Sequence, residues 1–387
     1  MAVIPIVFSI NDYYVPYFAA CLLSLQDVAS NNNQYKIHVL NRDINDTNKE
    51  ILISSLVKNN ISLSFIDINP FIEQKNFQIS RHLTVETYFR FYIPIIFKKR
   101  YEKALYCDAD ILFRADPAAL LEVTLGNNKL AAARDNMING SMNGNPKKRQ
   151  YLTEELKLQN PDNYFNAGII IFNISAITEK EIDDMEQMVV RQLYDNHDQD
   201  ILNSYYQGKV AFLGSEWNYI APIKIFLHRI PLMNEIHKKE YIRAGQNPKI
   251  IHYANYCKPW FYPDDVLASV WWSYARRTVF YEEILCRLLN FQNEQKINEL
   301  KKEQKKQLNE ILTAVNNGKI ETERENRLRF ICDHIWYYRI QKGRFWLCKC
   351  FSFGKRRDKY RTKYKAVRDL IREALQYKRN LYRNYFI

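Results

Sequence analysis

Glycine and proline are scarce in this chain, at 10 and 12 of 387 residues, too few for a collagen-like, linker-like or low-complexity protein. The 47% hydrophobic and 14% aromatic content excludes broad disorder. No stretch approaches the ~18 uninterrupted apolar residues of a membrane-spanning helix. The opening MAVIPIVFSIND has no basic start and meets polar residues too soon for a secretory leader. These absences predict a globular, cytoplasmic protein. The seven cysteines, an odd number without repeating spacing, describe no disulfide framework. Cys348-Lys349-Cys350 lacks the second pair that zinc would need, so reduced thiols are expected.

What the chain does have is charge in one place. The formal net charge is +13. Residues 276–387 carry 28 Lys and Arg against 13 Asp and Glu, whereas residues 1–275 carry 28 against 30. A near-neutral body with a basic appendage points to an anionic partner for the appendage alone.

Residues 4–10 form an apolar run ended by Asn11-Asp12, and residues 14–25 place apolar side chains at helical spacing, which together predict a strand and then a helix. Residues 35–40 and 61–66 read as strands around a helix at 45–59, and residues 103–107, 130–134 and 168–172 read as further strands. Strands alternating with helices imply a mostly parallel sheet covered on both faces, extending to about residue 250. In such sheets ligands bind beyond the carboxyl ends of strands, which is where the polar loops after Ile10 and Cys107 fall. From about residue 276 the text becomes helical and charge-rich, then basic and aromatic. The expected division is a catalytic domain at 1–275 and a helical extension at 276–387.

Asp108 and Asp110 carry the strongest chemical signal. Two residues apart on an extended segment, their carboxylates project to one side and can chelate a divalent cation. An apolar strand on either side does not hold two acids without compensation. Downstream, His252 and Lys258 add an imidazole to complete an oxygen-rich site and an ammonium for a phosphate, which describes a diphosphate clamp. Alone, His252 reads more readily as a satisfied core histidine and Lys258 as a solvated charge. Phe165-Asn166-Ala167-Gly168 interrupts an apolar run where backbone approaches something closely. In Asn196-His197-Asp198-Gln199-Asp200, either Asn196 or Asp198 can serve simply as a helix N-cap.

Taken in order, these pieces resemble the family 8 retaining glycosyltransferases, which include lipopolysaccharide galactosyl- and glucosyltransferases and the glycogenins. The resemblance rests on Ile6-Val7-Phe8 with Asn11-Asp12, Thr87-Tyr88-Phe89-Arg90, Tyr106-Cys107-Asp108-Ala109-Asp110, Phe165-Asn166-Ala167-Gly168, Asp198-Gln199-Asp200-Ile201-Leu202-Asn203, and His252-Tyr253 with Lys258-Pro259-Trp260. It covers about residues 3–275. The resemblance implies a GT-A fold, a Rossmann-like αβα sandwich of α/β class that binds a nucleotide sugar, here UDP-galactose or UDP-glucose. It implies Asp108, Asp110 and His252 as ligands of Mn²⁺ or Mg²⁺, with Ala109 between the acids and Lys258 on phosphate. Ser9, Asn11 and Tyr14 fall around uracil and ribose, Arg90, Asn166, Ala167, Asp198 and Gln199 around the donor sugar, and His82 near the acceptor. Two positions depart from the family pattern: Asn11 stands where Asp is frequent, and Asn255, in the loop around the diphosphate, where Gly is.

Departure of UDP develops negative charge on the diphosphate and positive charge on the anomeric carbon. The cation, His252 and Lys258 answer the first, Asp198 and Gln199 the second. A double displacement wants a carboxylate nucleophile beneath that carbon. The resemblance places the Gln199 amide there, so front-face transfer is expected, a UDP oxygen taking the acceptor's proton. The expected acceptor is a saccharide or glycolipid. The basic and aromatic tail predicts attachment to the inner membrane face, ahead of a solvated helical bundle capping the catalytic domain and of a nucleic-acid site. A metal-dependent phosphohydrolase is disfavoured, since Ile111-Leu112-Phe113 after the acids offers no hydroxyl, and a non-enzymatic binding module is disfavoured by the complete set of ligands.

Overall fold

A computed structural model describes residues 1–73, 75 and 85–316, together with a minority of positions between 339 and 375. The described structure separates into two units, Met1–Gln292 and Asn293–Ile387.

The first unit is built on a seven-stranded sheet of β1 (Val3–Ser9), β2 (Gln34–Asn41), β3 (Ile61–Asp67), β4 (Lys103–Cys107), β6 (Leu130–Arg134), β7 (Phe165–Asn173) and β8 (Val210–Leu213), in the order β3-β2-β1-β4-β7-β6-β8. All neighbours are parallel except β7, which runs against both β4 and β6. A smaller sheet sets β10 (Ile250–His252) between β5 (Ile111–Phe113) and β9 (Tyr219–Ile220). The main sheet therefore ends at β8, and the apolar text near residue 250 belongs to the second sheet.

Period-two alternation divides the strands' side chains between two cores. Ile4, Ile6 and Phe8 of β1, Leu105 of β4 and Ile169 and Ile171 of β7 face one core; Val7, Tyr106, Ile170 and Phe172 face the other. The first is covered by the helix Val15–Val28, which starts with Pro16 in its opening turn, and by the tryptophans of the helix Ala268–Ala275. The second is covered by the 3-10 stretch Val85–Tyr92 and the helices Glu179–Arg191 and His197–Tyr205. The result is a three-layered α/β sandwich with a mostly parallel sheet.

Several boundaries differ from the sequence expectation for local reasons. The helix expected over 45–59 spans Asp46–Ser54, opened by Asn45, whose side chain accepts from the Asn48 N–H at 2.9 Å. Strand β7 begins at Phe165, so Asn166 and Gly168 lie within it. The helix Tyr281–Asn316 starts inside the expected extension, yet Ile284 and Leu288 are buried in the first core and Phe291 stacks on Phe261 at 4.6 Å. Cys21, Cys107 and Cys257 are buried reduced thiols and Cys286 an exposed one. No helix among the described residues is long and apolar enough to cross a membrane.

Candidate active site

Asp108, Ala109 and Asp110 form a bend between β4 and β5 rather than the extended segment expected from alternation. The chain here leaves the main sheet for the small one, and β10 pairs with β5 so that His252 lies opposite Ile111. One oxygen of each acid and a ring nitrogen of His252 lie within 4.8 Å of one another. His252 Nε2 is 3.3 Å from Asp110 Oδ1 and 3.7 Å from Asp108 Oδ2. The crowding needs Gly168: a Cβ there would stand 2.1 Å from His252 Cε1 and 2.9 Å from Asp108 Oδ2.

The imidazole's other nitrogen fixes its tautomer. Asn218 Nδ2 donates to Asn166 Oδ1 at 2.9 Å, which turns Asn218 Oδ1 toward His252 Nδ1 at 2.8 Å. Nδ1 then carries the proton and Nε2 presents a lone pair to the acids. Asp110 Oδ1 and His252 Nε2 are both buried without a hydrogen-bond partner among the described residues. Two acceptors facing each other across 3.3 Å suit a cation between them, and the donor set of two carboxylates and an imidazole fits Mn²⁺ or Mg²⁺.

Lys258 pairs with Asp110 and donates to Tyr253 O at 2.8 Å. It is set in place by the aromatic cluster that follows it, where Trp260 stacks on Tyr17 at 4.1 Å and Trp272 Nε1 donates to Pro259 O. Burial raises the Asp110 carboxyl, but the Lys258 ammonium beside it holds it well below the usual carboxylate range. Burial, and then the charges of Asp110 and Asp108, push the Tyr14 phenol up.

Arg90 is buried and shared between two acids, at 2.9 Å from Asp108 Oδ1 and 3.1 Å from Asp198 Oδ2, and it lies 4.3 Å from the centre of the Tyr106 ring. Asp198 also accepts from the Thr87 hydroxyl. Burial pushes the Asp198 carboxyl up to about 6 despite Arg90 and Thr87. Gln199 is held at both ends: its Oε1 accepts from Ala167 N–H at 2.9 Å and its Nε2 donates to Asp135 Oδ2 at 3.2 Å. Neither Asn196 nor Asp198 caps its helix. Asn196 makes no side-chain cap bond, His197 enters at φ 48°, and the Asp200 carboxylate accepts the Asn196 N–H at 2.8 Å. Asn11 Oδ1 receives the Tyr14 N–H at 3.2 Å, and Asp12 is spent on Asn45 and Asn48.

Two adjoining clefts gather these groups. One of about 250 Å³ is lined by Ser9, Asn11, Tyr14, Ala109, Asp110 and Lys258. The other, of about 320 Å³, is lined by Ala167, Asp198 and Asn255. Arg90, Asp108, Asn166 and Gln199 line both, and His252 lines the first. Ser9 Oγ and Asn255 Nδ2 are further buried atoms without a hydrogen-bond partner among the described residues. His82 lies outside the described residues. Sequence reasoning missed Asp135, Asn218 and Tyr106, whose hydroxyl donates to Asp108 Oδ1 at 2.7 Å. Asp135 follows the carboxyl end of β6, so the rule applied to the loops after Ile10 and Cys107 would have found it. Asn218 carries no such signal.

The model of the family described as glycosyl transferase family 8 matches residues 5–263. General stress protein A of Bacillus subtilis is 25% identical over 256 residues, which are 65% of this chain and 85% of that protein. Lipopolysaccharide 1,3-galactosyltransferase of Salmonella typhimurium is 26% identical over 194 residues, which are 48% of this chain and 52% of that one. Among solved structures, the bifunctional glycosyltransferase WbbM in its apo form superposes with a TM-score of 0.68 at 30% identity, covering 74% of this chain and 52% of that chain. This chain thus spans about half the length of the last two proteins.

Proposed function

The chain belongs to glycosyl transferase family 8, and from that premise we propose a retaining enzyme that moves galactose or glucose from UDP to a saccharide or glycolipid acceptor, in bacterial lipopolysaccharide or surface-glycan synthesis. The observation that carries this reading is the meeting of Asp108, Asp110 and His252 within 4.8 Å, with two buried acceptor atoms turned toward each other. These three would hold Mn²⁺ or Mg²⁺, which when bound supplies positive charge to the departing diphosphate. Lys258 places a second positive charge beside them, and Ser9, Asn11 and Tyr14 line the wall of the same cleft for uracil and ribose.

On the sugar side, Asp198 is engaged by Arg90 and Thr87, and the Gln199 amide by Ala167 and Asp135. Neither is disposed as a free carboxylate nucleophile, which supports front-face transfer in which a UDP oxygen takes the acceptor's proton. Fixed dipoles and charges here favour positive charge developing at the anomeric carbon. Half of the 16 Lys and Arg residues beyond 330 lie outside the described structure. The basic, aromatic composition there supports peripheral attachment to an anionic membrane face, where glycolipid acceptors reside.

The test is a panel of UDP-sugars with Mn²⁺, read by protection against thermal unfolding and then by UDP release. One UDP-hexose should protect only with the metal, and release should require an added acceptor. Metal-independent protection, or release insensitive to any saccharide, would overturn the reading.

A further inference from the structure

Arg229 stands apart from the other cations around the second cleft. It lines the 320 Å³ pocket together with Arg90. Arg90 is consumed by Asp108, Asp198 and the Ala167 carbonyl. Arg229 makes no ion pair or hydrogen bond with any described residue; its guanidinium lies 3.5 Å from the centre of the Phe226 ring. It is half-buried, and burial lowers its pKa. Asp135, the carboxylate whose charge acts on it, is already engaged by the Ile138 N–H and by the Asn166 and Gln199 amides.

The segment bearing Arg229, Lys224–Leu232, is clamped onto the helix Asn136–Gly144. Asn143 donates to Leu232 O at 2.9 Å, and Asn139 accepts from the Asn234 N–H at 2.9 Å. A Cβ at Gly140 would stand 2.3 Å from the Arg229 carbonyl oxygen, so the close approach depends on glycine. The backbone at Arg229 is therefore fixed, and the guanidinium rests on the Phe226 ring with its N–H fork unspent among the described residues, an arrangement that suits bidentate capture of a carboxylate or phosphate.

We propose that Arg229 selects a sugar carrying an anionic substituent, a carboxylate or a phosphate, in the cleft beside Gln199 and Asp198. This rests on the transferase reading and names its substrate class. The anion has two sources, the acceptor, or a donor whose sugar carries an acid in place of neutral galactose or glucose, and the test separates them. The donor arm titrates UDP-glucuronate against UDP-glucose with Mn²⁺. The acceptor arm titrates glucuronate and glucose 6-phosphate against glucose, with and without UDP. Each is measured calorimetrically on the full chain and on Arg229→Gln and Arg229→Lys.

In one arm the anionic sugar should bind about ten-fold or more tightly than its neutral twin. Arg229→Gln should erase that preference and Arg229→Lys restore part of it, with UDP affinity unchanged in all three proteins. Equal affinity for the twins in both arms of the wild type, or a preference that survives Arg229→Gln, overturns the proposal. Failure of UDP itself to bind would count against the transferase reading, while the twins titrated without UDP would still decide the role of Arg229.

Discussion

Single side chains in the cleft act through what they hold. Asp108→Ala and Asp110→Ala each remove one oxygen donor from a set of three, and each should abolish metal-dependent transfer. On the proposed assignment of the Gln199 amide to the sugar, Gln199→Ala should leave UDP-sugar affinity near normal and lower kcat; near-wild-type turnover in all three variants would remove these assignments. Asn218 sits one step further out. It accepts from His252 Nδ1 and donates to Asn166, so it orients the imidazole without reaching the cation. Asn218→Leu preserves volume while freeing the ring to turn, and should weaken Mn²⁺ affinity by about 10- to 100-fold with the fold retained. Unchanged Mn²⁺ affinity in a titration would show that the ring needs no such guide.

At the scale of strands, the site depends on how closely β7 passes beneath β10. Gly168→Ala inserts a methyl group into the space of the His252 ring. The variant should lose about 1–3 kcal/mol of stability in urea unfolding and most of its Mn²⁺ affinity; full affinity would mean that the ring moves aside at no expense to the site. In β2, His38 is buried between Ser64 Oγ at 2.7 Å and Tyr101 OH at 3.0 Å. Burial, with Arg100 and Lys36 nearby, lowers its pKa to about 4. The unfolded chain then binds the proton more readily than the folded one between about pH 6.5 and 4. The stability associated with neutral His38 is present above pH 6.5 and lost as pH falls toward 4, by about 3 kcal/mol. Urea midpoints measured from pH 7 to 4 should show that slope, and His38→Gln should flatten it.

The same elements explain what the sequence discloses. Strands β1, β2, β3 and β4 were legible because each apolar run is closed by polar residues at its carboxyl end. β7 was found late in its course because Asn166 and Gly168, which serve the cleft, break its apolar text. The small sheet was invisible, since strands of three, three and two residues give no periodicity to count. Asp108, Asp110 and His252 were legible by residue type, but their convergence comes from a bend and from antiparallel pairing of β10 with β5, which alternation does not foresee. Asn218 lies before a two-residue strand and has no ionisable group to mark it.

For the molecule as a whole, charge and fold divide at the same place. The first unit runs to Gln292, carrying the opening turns of the Tyr281–Asn316 helix with it, and residues 1–292 hold 31 Lys and Arg against 32 Asp and Glu, whereas residues 293–387 hold 25 against 11. A deletion after residue 330 spares every described residue of the first unit. It should leave UDP-sugar turnover on a soluble acceptor within two-fold while ending sedimentation with phosphatidylglycerol vesicles, and the full chain's sedimentation should fall steeply between about 50 and 500 mM salt. Vesicle binding unchanged by the deletion would end the attachment proposal. The bend at Asp108–Asp110 also has a mechanical consequence. One acid leaves the large sheet, the next enters the small one, and the imidazole approaches from the far side of the seam, so whatever draws the three together rivets two layers of backbone. Loading the clamp should slow amide exchange in β5 and β10 and make the two sheets melt as one.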